Sequence, residues 1–182
     1  MTTYTEAQVR ANLVAICNWG INNHTQFTYS EGPKRMVGVK TPFMLPMISD
    51  CSAWITKIAS WCGIPDPNGV NYNGTGYTGT LLSHNTHITK AQVLPGDVVV
   101  YGPGTGWHTA MIVSVDSHGN LLSCSMGQNG DPSLVWVCPP VGVPAAGHGV
   151  DNRKPQTFLR LNLNVVGVMH TPPVAPVKNA KE

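Results

Sequence analysis

The hydrophobic period of this chain changes once, and that change limits the fold more than any other feature. Residues 5–19 (TEAQVRANLVAICNW) place Val9, Leu13, Ile16 and Cys17 at helical spacing. Thr5 and Gln8 have the spacing of a capping box, and Gly20 is a natural stop. Residues 50–62 (DCSAWITKIASWC) repeat the pattern. Asp50 is the expected N-cap, Trp54, Ile55, Ile58, Trp61 and Cys62 form the apolar stripe, and Gly63 ends the helix. From Asp97 onward the period is that of strands. The candidates are 97–101 (DVVVY), 108–115 (HTAMIVSV), 121–125 (LLSCS), 134–138 (LVWVC) and 158–166 (FLRLNLNVV). The 102–107 and 116–120 connections carry glycine and are short enough for hairpins. Helices first and strands after predict an α+β fold, with N-terminal helices packed on an antiparallel sheet.

Between these blocks the expectations are weaker. Residues 21–49, interrupted by Gly32, Pro33, Pro42 and Pro46, read as irregular, and a long Gly/Asn/Thr loop follows Pro65. Residues 1–168 are expected to form the folded domain, and the Pro- and Lys-rich stretch 169–182 a tail or linker.

Charge excludes one class of partner. Charged residues are 11% of the 182, and the net charge is +2, so binding nucleic acid through clustered phosphate contacts is not expected. No apolar run approaches the roughly 20 residues of a membrane helix, so no membrane insertion is expected. Met1–Arg10 lacks the pattern of a secretory signal, which predicts a cytoplasmic site of synthesis. The five cysteines (Cys17, Cys51, Cys62, Cys124, Cys138) are odd in number, which suits free thiols better than a disulfide framework. A monomer is expected. His84 and His87 have HxxH spacing, but no further ligand motif joins them, so neither metal nor other cofactor is expected.

Candidate chemistry centres on Asp50-Cys51-Ser52. A cysteine in the first turn of a helix faces unpaired N–H groups and the positive end of the dipole. That place predicts a lowered thiol pKa and a stabilised oxyanion. The competing reading is a small buried residue, as many free cysteines are. A nucleophilic thiol needs a base. His108, at the mouth of a predicted strand behind Gly102, Gly104 and Gly106, is the best placed; the other six histidines fall in loops or tails. If 108–115 and 121–128 pair about a turn near His118, the residue opposite His108 is close to Gln128, whose carbonyl can orient the imidazole. Ser125, Asn129 and Asp131 remain alternatives for that role. Trp54, Trp61, Cys62, Cys124 and Cys138 read as core, and Tyr101 and Trp107 as either cleft or hairpin packing.

In this order the stretches FTYSEGPKRM, DCSAW, GIPDPNGVNYNGTGYTGTLL, PGDVVVYG, GWHTAMIV and SMGQNGDP resemble the NlpC-type and CHAP-type cysteine peptidases of the papain-like superfamily. The resemblance is greatest to the N-terminal peptidase domain of endolysins from mycobacteriophages and other actinobacteriophages, and it covers about residues 5–165. It implies a papain-like fold and a peptidoglycan hydrolase that cuts an amide of the stem peptide or cross-bridge. It makes Cys51 the nucleophile and His108 the base. Tyr29 falls near the oxyanion, and Asp50 and Ser52 shape the substrate cleft. It also implies accumulation in the host cytoplasm, with access to the wall once the membrane is permeabilised. Met126 departs from the subgroup, which often has histidine in that segment; a thioether cannot orient an imidazole by a strong hydrogen bond. The departure leaves Gln128 as orienter, or a Cys–His dyad. Other readings on the same scaffold are a non-catalytic wall-binding or virion module, an N-acetylmuramoyl-L-alanine amidase, and an acyltransferase. The loop with Tyr72, Gly76, Tyr77 and Gly79 can stack on glycan or stem peptide, or is an ordered surface loop.

Overall fold

A computed structural model describes residues 3–127, 130–138 and 147–174. Helix α1 runs Glu6–Asn22, and its start is the expected capping box between Thr5 and Gln8. Gly20 does not stop it. The helix continues to Asn22, and Gly20 instead lets Trp54 approach: a Cβ there would fall 2.5 Å from the indole. Helix α2, Cys51–Trp61, begins where Asp50 accepts a hydrogen bond from the Ala53 amide at 2.6 Å, as the N-cap pattern requires. A short helix, α3 (Thr78–His84), interrupts the long loop where no helix was expected.

The sheet has seven strands among the described residues: β3 (Thr86–Ile88), β4 (Val98–Tyr101), β5 (His108–Val115), β6 (Leu121–Met126), β7 (Pro132–Val137), β8 (Gly149–Asp151) and β9 (Gln156–Arg160). Their order is β3-β9-β4-β5-β6-β7-β8. Pairing is antiparallel throughout except β7 with β8, which is parallel. The strand expected over 158–166 is β9, and it starts and ends earlier. The segment expected to be irregular holds two short strands, β1 (Phe27–Tyr29) and β2 (Met47–Ser49), paired in parallel.

The main core lies between the helices and one sheet face. Val9, Leu13 and Ile16 of α1 and Trp54, Ile55 and Ile58 of α2 meet Val98, Val100, Met111 and Cys124. Trp19, Trp54 and Trp61 pack edge to face, with Phe27 and Phe43 completing the cluster. A second cluster, with Val99, Tyr101, Ala110 and Ile112, covers the opposite sheet face. Trp54, Trp61, Cys62 and Cys124 are core as expected, whereas Cys138 is not: it is half-buried at the end of β7, and its thiol meets Lys154 and Gln156. After the sheet, the chain returns to the helices, where His170 bonds to Trp61 and Asn12 through its backbone.

One core residue breaks the apolar rule. Lys57 of α2 is fully buried, and its ammonium nitrogen donates to the carbonyls of Arg35 (2.6 Å) and Ile48 (2.7 Å). Burial pushes its pKa down to about 7. Those carbonyls belong to the two segments that lead into Asp50 and its partners. Lys57→Met keeps the volume but orphans both acceptors, so it should lower unfolding free energy by about 1–3 kcal/mol in urea melts. An unchanged midpoint would contradict this role.

Candidate active site

Cys51 is placed by its helix and His108 by its strand. Asp50 holds the first turn of α2: its carboxylate accepts from the Ala53 amide, from Ser52 Oγ (3.0 Å) and from Arg35 Nη1 (3.1 Å). Arg35 also reaches Ser52 Oγ at 3.2 Å and donates to the Gly76 carbonyl, which ties the long loop to the same point. Asp50 and Ser52 therefore brace the helix start.

The Cys51 thiol lies against three backbone N–H groups, those of Thr109, Ser52 and Cys51 itself. Thr109 directly follows His108, so the thiol sits at the mouth of β5. Cys51 is 7% exposed and His108 6% exposed. The helix start was expected to lower the thiol pKa. The structure corrects that expectation: burial, seconded by the Asp50 charge, pushes it up to about 11, and the three amides only partly oppose this. Burial, with help from the Arg153 charge, likewise pushes His108 down to about 4. The resting pair is thus a neutral thiol and a neutral imidazole.

His108 is held on two sides. Its Nε2 shares a 2.8 Å hydrogen bond with Ser125 Oγ. Its ring stacks on Tyr101, the residue directly opposite it on β4, with centroids 5.8 Å apart. The Arg153 guanidinium lies over the Tyr101 ring, 5.4 Å from its centroid, and pairs with Asp151. Gln128, expected as the orienting residue, lies outside the described residues, as does Asn129. Among the described residues Ser125 holds the imidazole. Asp131 bonds to His24 instead. Met126 is fully buried in the main core and faces away from the imidazole. A bulge slips the β5–β6 register by one place: Ser114 pairs with Leu122, but Met111 pairs with Cys124. Ser125, one of the alternatives, lies on the imidazole's face.

A cleft of about 460 Å³ opens beside His108, walled by Tyr29, Glu31, Ser125, Asp151 and Arg153 among others. The Tyr29 hydroxyl donates to Glu31 Oε1 at 3.0 Å, and burial with the nearby Cys51 sulfur raises its pKa, so it stays a neutral phenol. Tyr72 does not offer a stacking face: it is half-buried and donates to the Ile64 carbonyl. His84 and His87 each bond a backbone carbonyl of their own region. Arg35, Lys57, Tyr101, Asp151 and Arg153 are site-supporting residues that sequence reasoning missed or left open. Only the RM of FTYSEGPKRM and the Tyr of PGDVVVYG hinted at two of them.

No family model matches the chain, and no curated protein does. Solved structures do. The Resuscitation Promoting Factor Interacting protein RipA, in a mutated form, is 18% identical with a TM-score of 0.52; the match covers 89% of this chain and 66% of that one. A hypothetical invasion protein of Mycobacterium tuberculosis is 19% identical with a TM-score of 0.51 over the same shares. The peptidoglycan hydrolase RipB of Mycobacterium tuberculosis is 21% identical, with a TM-score of 0.49 over 87% of this chain and 69% of that one. The chain thus spans about two thirds of these proteins' length. The first two likenesses bear on the fold, which is the expected α+β papain-like arrangement of helices on a sheet.

The His108 environment has a pH signature. A depressed imidazole pKa means the unfolded chain binds the proton first, so stability should fall as pH drops from about 6.5 toward 4. His108→Gln should flatten that part of the curve, and Arg153→Gln should raise the His108 titration seen by proton NMR. A titration near 6.5 in the native protein would contradict the burial account.

Proposed function

We propose that this chain is a peptidoglycan hydrolase: a cysteine peptidase that cuts an amide of the stem peptide or cross-bridge, and by its motif run a phage endolysin peptidase. The observation that carries the reading is the Cys51 thiol against the amide of Thr109, the residue after His108, whose imidazole is fixed by Ser125 and lines a polar cleft. The papain-like fold and the DCS, PGDVVVYG and GWHTAMIV stretches support it.

The chemistry follows from the neutral resting pair. The mechanism uses the His108 tautomer in which Nε2–H donates to Ser125 Oγ and Nδ1 carries the ring's lone pair. As the Cys51 sulfur bonds the amide carbon, Nδ1 takes the thiol proton, so charge separates only during attack. The N–H groups at the start of α2 face the developing oxyanion. Tyr29 can join them only if its hydroxyl turns away from Glu31. The imidazolium then protonates the leaving amine, the C–N bond breaks, and water assisted by His108 releases the acyl group from sulfur. Cys51 is the nucleophile and His108 the base. Ser125 orients His108, and Asp50 and Ser52 hold the helix start. This sequence of steps calls on no metal or other cofactor. The protein acts as a monomer made in the host cytoplasm, meeting the wall after the membrane is permeabilised.

A buried thiol raised to about 11 favours one second reading, a wall-binding module that has lost turnover. Purified cell wall separates the two. Cys51→Ala should abolish release of soluble fragments while leaving the fold and wall binding intact. Mass spectrometry of wild-type digests should show new amine and carboxylate ends at one amide bond, and their position decides between endopeptidase and amidase. Ser125→Ala should lower kcat on the order of 10-fold by loosening the imidazole. Equal fragment release by Cys51→Ala would overturn the assignment.

A further inference from the structure

Two aromatic side chains near the cleft face solvent, and the mechanism uses neither. Trp107 is 62% exposed and Tyr77 50% exposed. Each is seated on a glycine. A Cβ on Gly102 would fall 2.5 Å from the Trp107 ring, and one on Gly79 would fall 2.5 Å from the Tyr77 ring. Gly102 also takes φ +95°, so a side chain there is excluded twice over. The Gly102 seat lies in the β4–β5 connection and the Gly79 seat in the first turn of α3, and the two segments dock on each other. Thr78 Oγ1 meets the Gly106 carbonyl at 3.4 Å, and a Cβ on Gly106 would press on Thr78 at 3.3 Å. Tyr77 precedes Thr78 and Trp107 follows Gly106, so the Thr78–Gly106 contact brings the two aromatic residues' backbones to one corner of the fold. Trp107 also forms part of the cleft wall, near Glu31, Asp151 and Asn152.

This arrangement has a chemical meaning. A ring backed by a glycine is held in place and leaves its other face free, so little side-chain freedom is lost on binding. The two rings carry no charge, and the nearby carboxylates and amide suit hydroxyl and acetamido groups. A pyranose ring offers that combination: C–H groups for an aromatic face and polar groups at its edge. We propose that Trp107 and Tyr77 form a sugar-stacking subsite for N-acetylated amino-sugar rings of the glycan strand. The site then acts on stem peptides still attached to glycan. The inference rests on the wall-hydrolase reading above, and binding tests it without turnover.

In Cys51→Ala protein, titration with the N-acetylglucosamine tetramer should give saturable binding by calorimetry and shift tryptophan emission. Trp107→Ala should weaken that binding about 10-fold or more, Tyr77→Ala several-fold, and Trp107→Tyr should restore most of it. With Cys51 intact, Trp107→Ala should lower the ratio of kcat/KM on purified cell wall to kcat/KM on free stem peptide by a similar factor. Absence of saturable tetramer binding, equal affinity in Trp107→Ala, or an unchanged wall-to-peptide ratio would overturn the subsite. Tetramer binding that depends on Trp107 in a protein unable to cut any peptide would support the subsite while contradicting the hydrolase reading.

Discussion

The carboxylate of Asp50 is the point on which the rest of the site depends. It caps α2 through the Ala53 amide, takes the Ser52 hydroxyl, and receives Arg35, which in turn holds the Gly76 loop. One buried group thus fixes a helix start, the segment before β2 and the long loop. Lys57, about two turns along α2 from Asp50, ties the same segments from beneath through two carbonyls. A thiol directly after such a cap inherits a fixed position against the end of β5. Without the cap, the first-turn amides would have no reason to converge on Cys51.

Position and ionisation are separate matters here. The helix-start amides favour a thiolate, as the sequence position suggests, but they work against nearly complete burial and a carboxylate next door. Burial wins at Cys51 and again at His108, in opposite directions on the pKa scale. The result is an uncharged pair that costs little to bury and needs a substrate to separate charge. The Tyr101 ring behind His108, with Arg153 above it, keeps the imidazole from turning while it is neutral.

Several of these features were legible in the residues. Thr5, Gln8 and Asp50 are local signals, and local signals survive folding; β5 also has the length its alternation predicts. What stayed hidden was non-local. The three-residue strands β1 and β2 are too short to show a period and exist because they pair. Helix α3 has seven residues, and no apolar stripe of that length stands out. Lys57 does not stand out because nothing in the sequence says that α2 is buried all round. Ser125 was one alternative among several, because a single bulge between Ile112 and Ser114, invisible in the residues, slips the β5–β6 register by one place. Gly20, read as a stop, is instead a close-approach residue under Trp54.

The central claim is that the Cys51 sulfur attacks an amide carbon of the wall peptide. Acid-quenching the protein during turnover of a soluble stem peptide and mapping its own peptides tests this most directly. The account predicts a thioester on Cys51 whose added mass equals the acyl half of the substrate, absent when His108 is replaced by Ala. Cleavage with no adduct on Cys51, or an adduct on another cysteine, would contradict it.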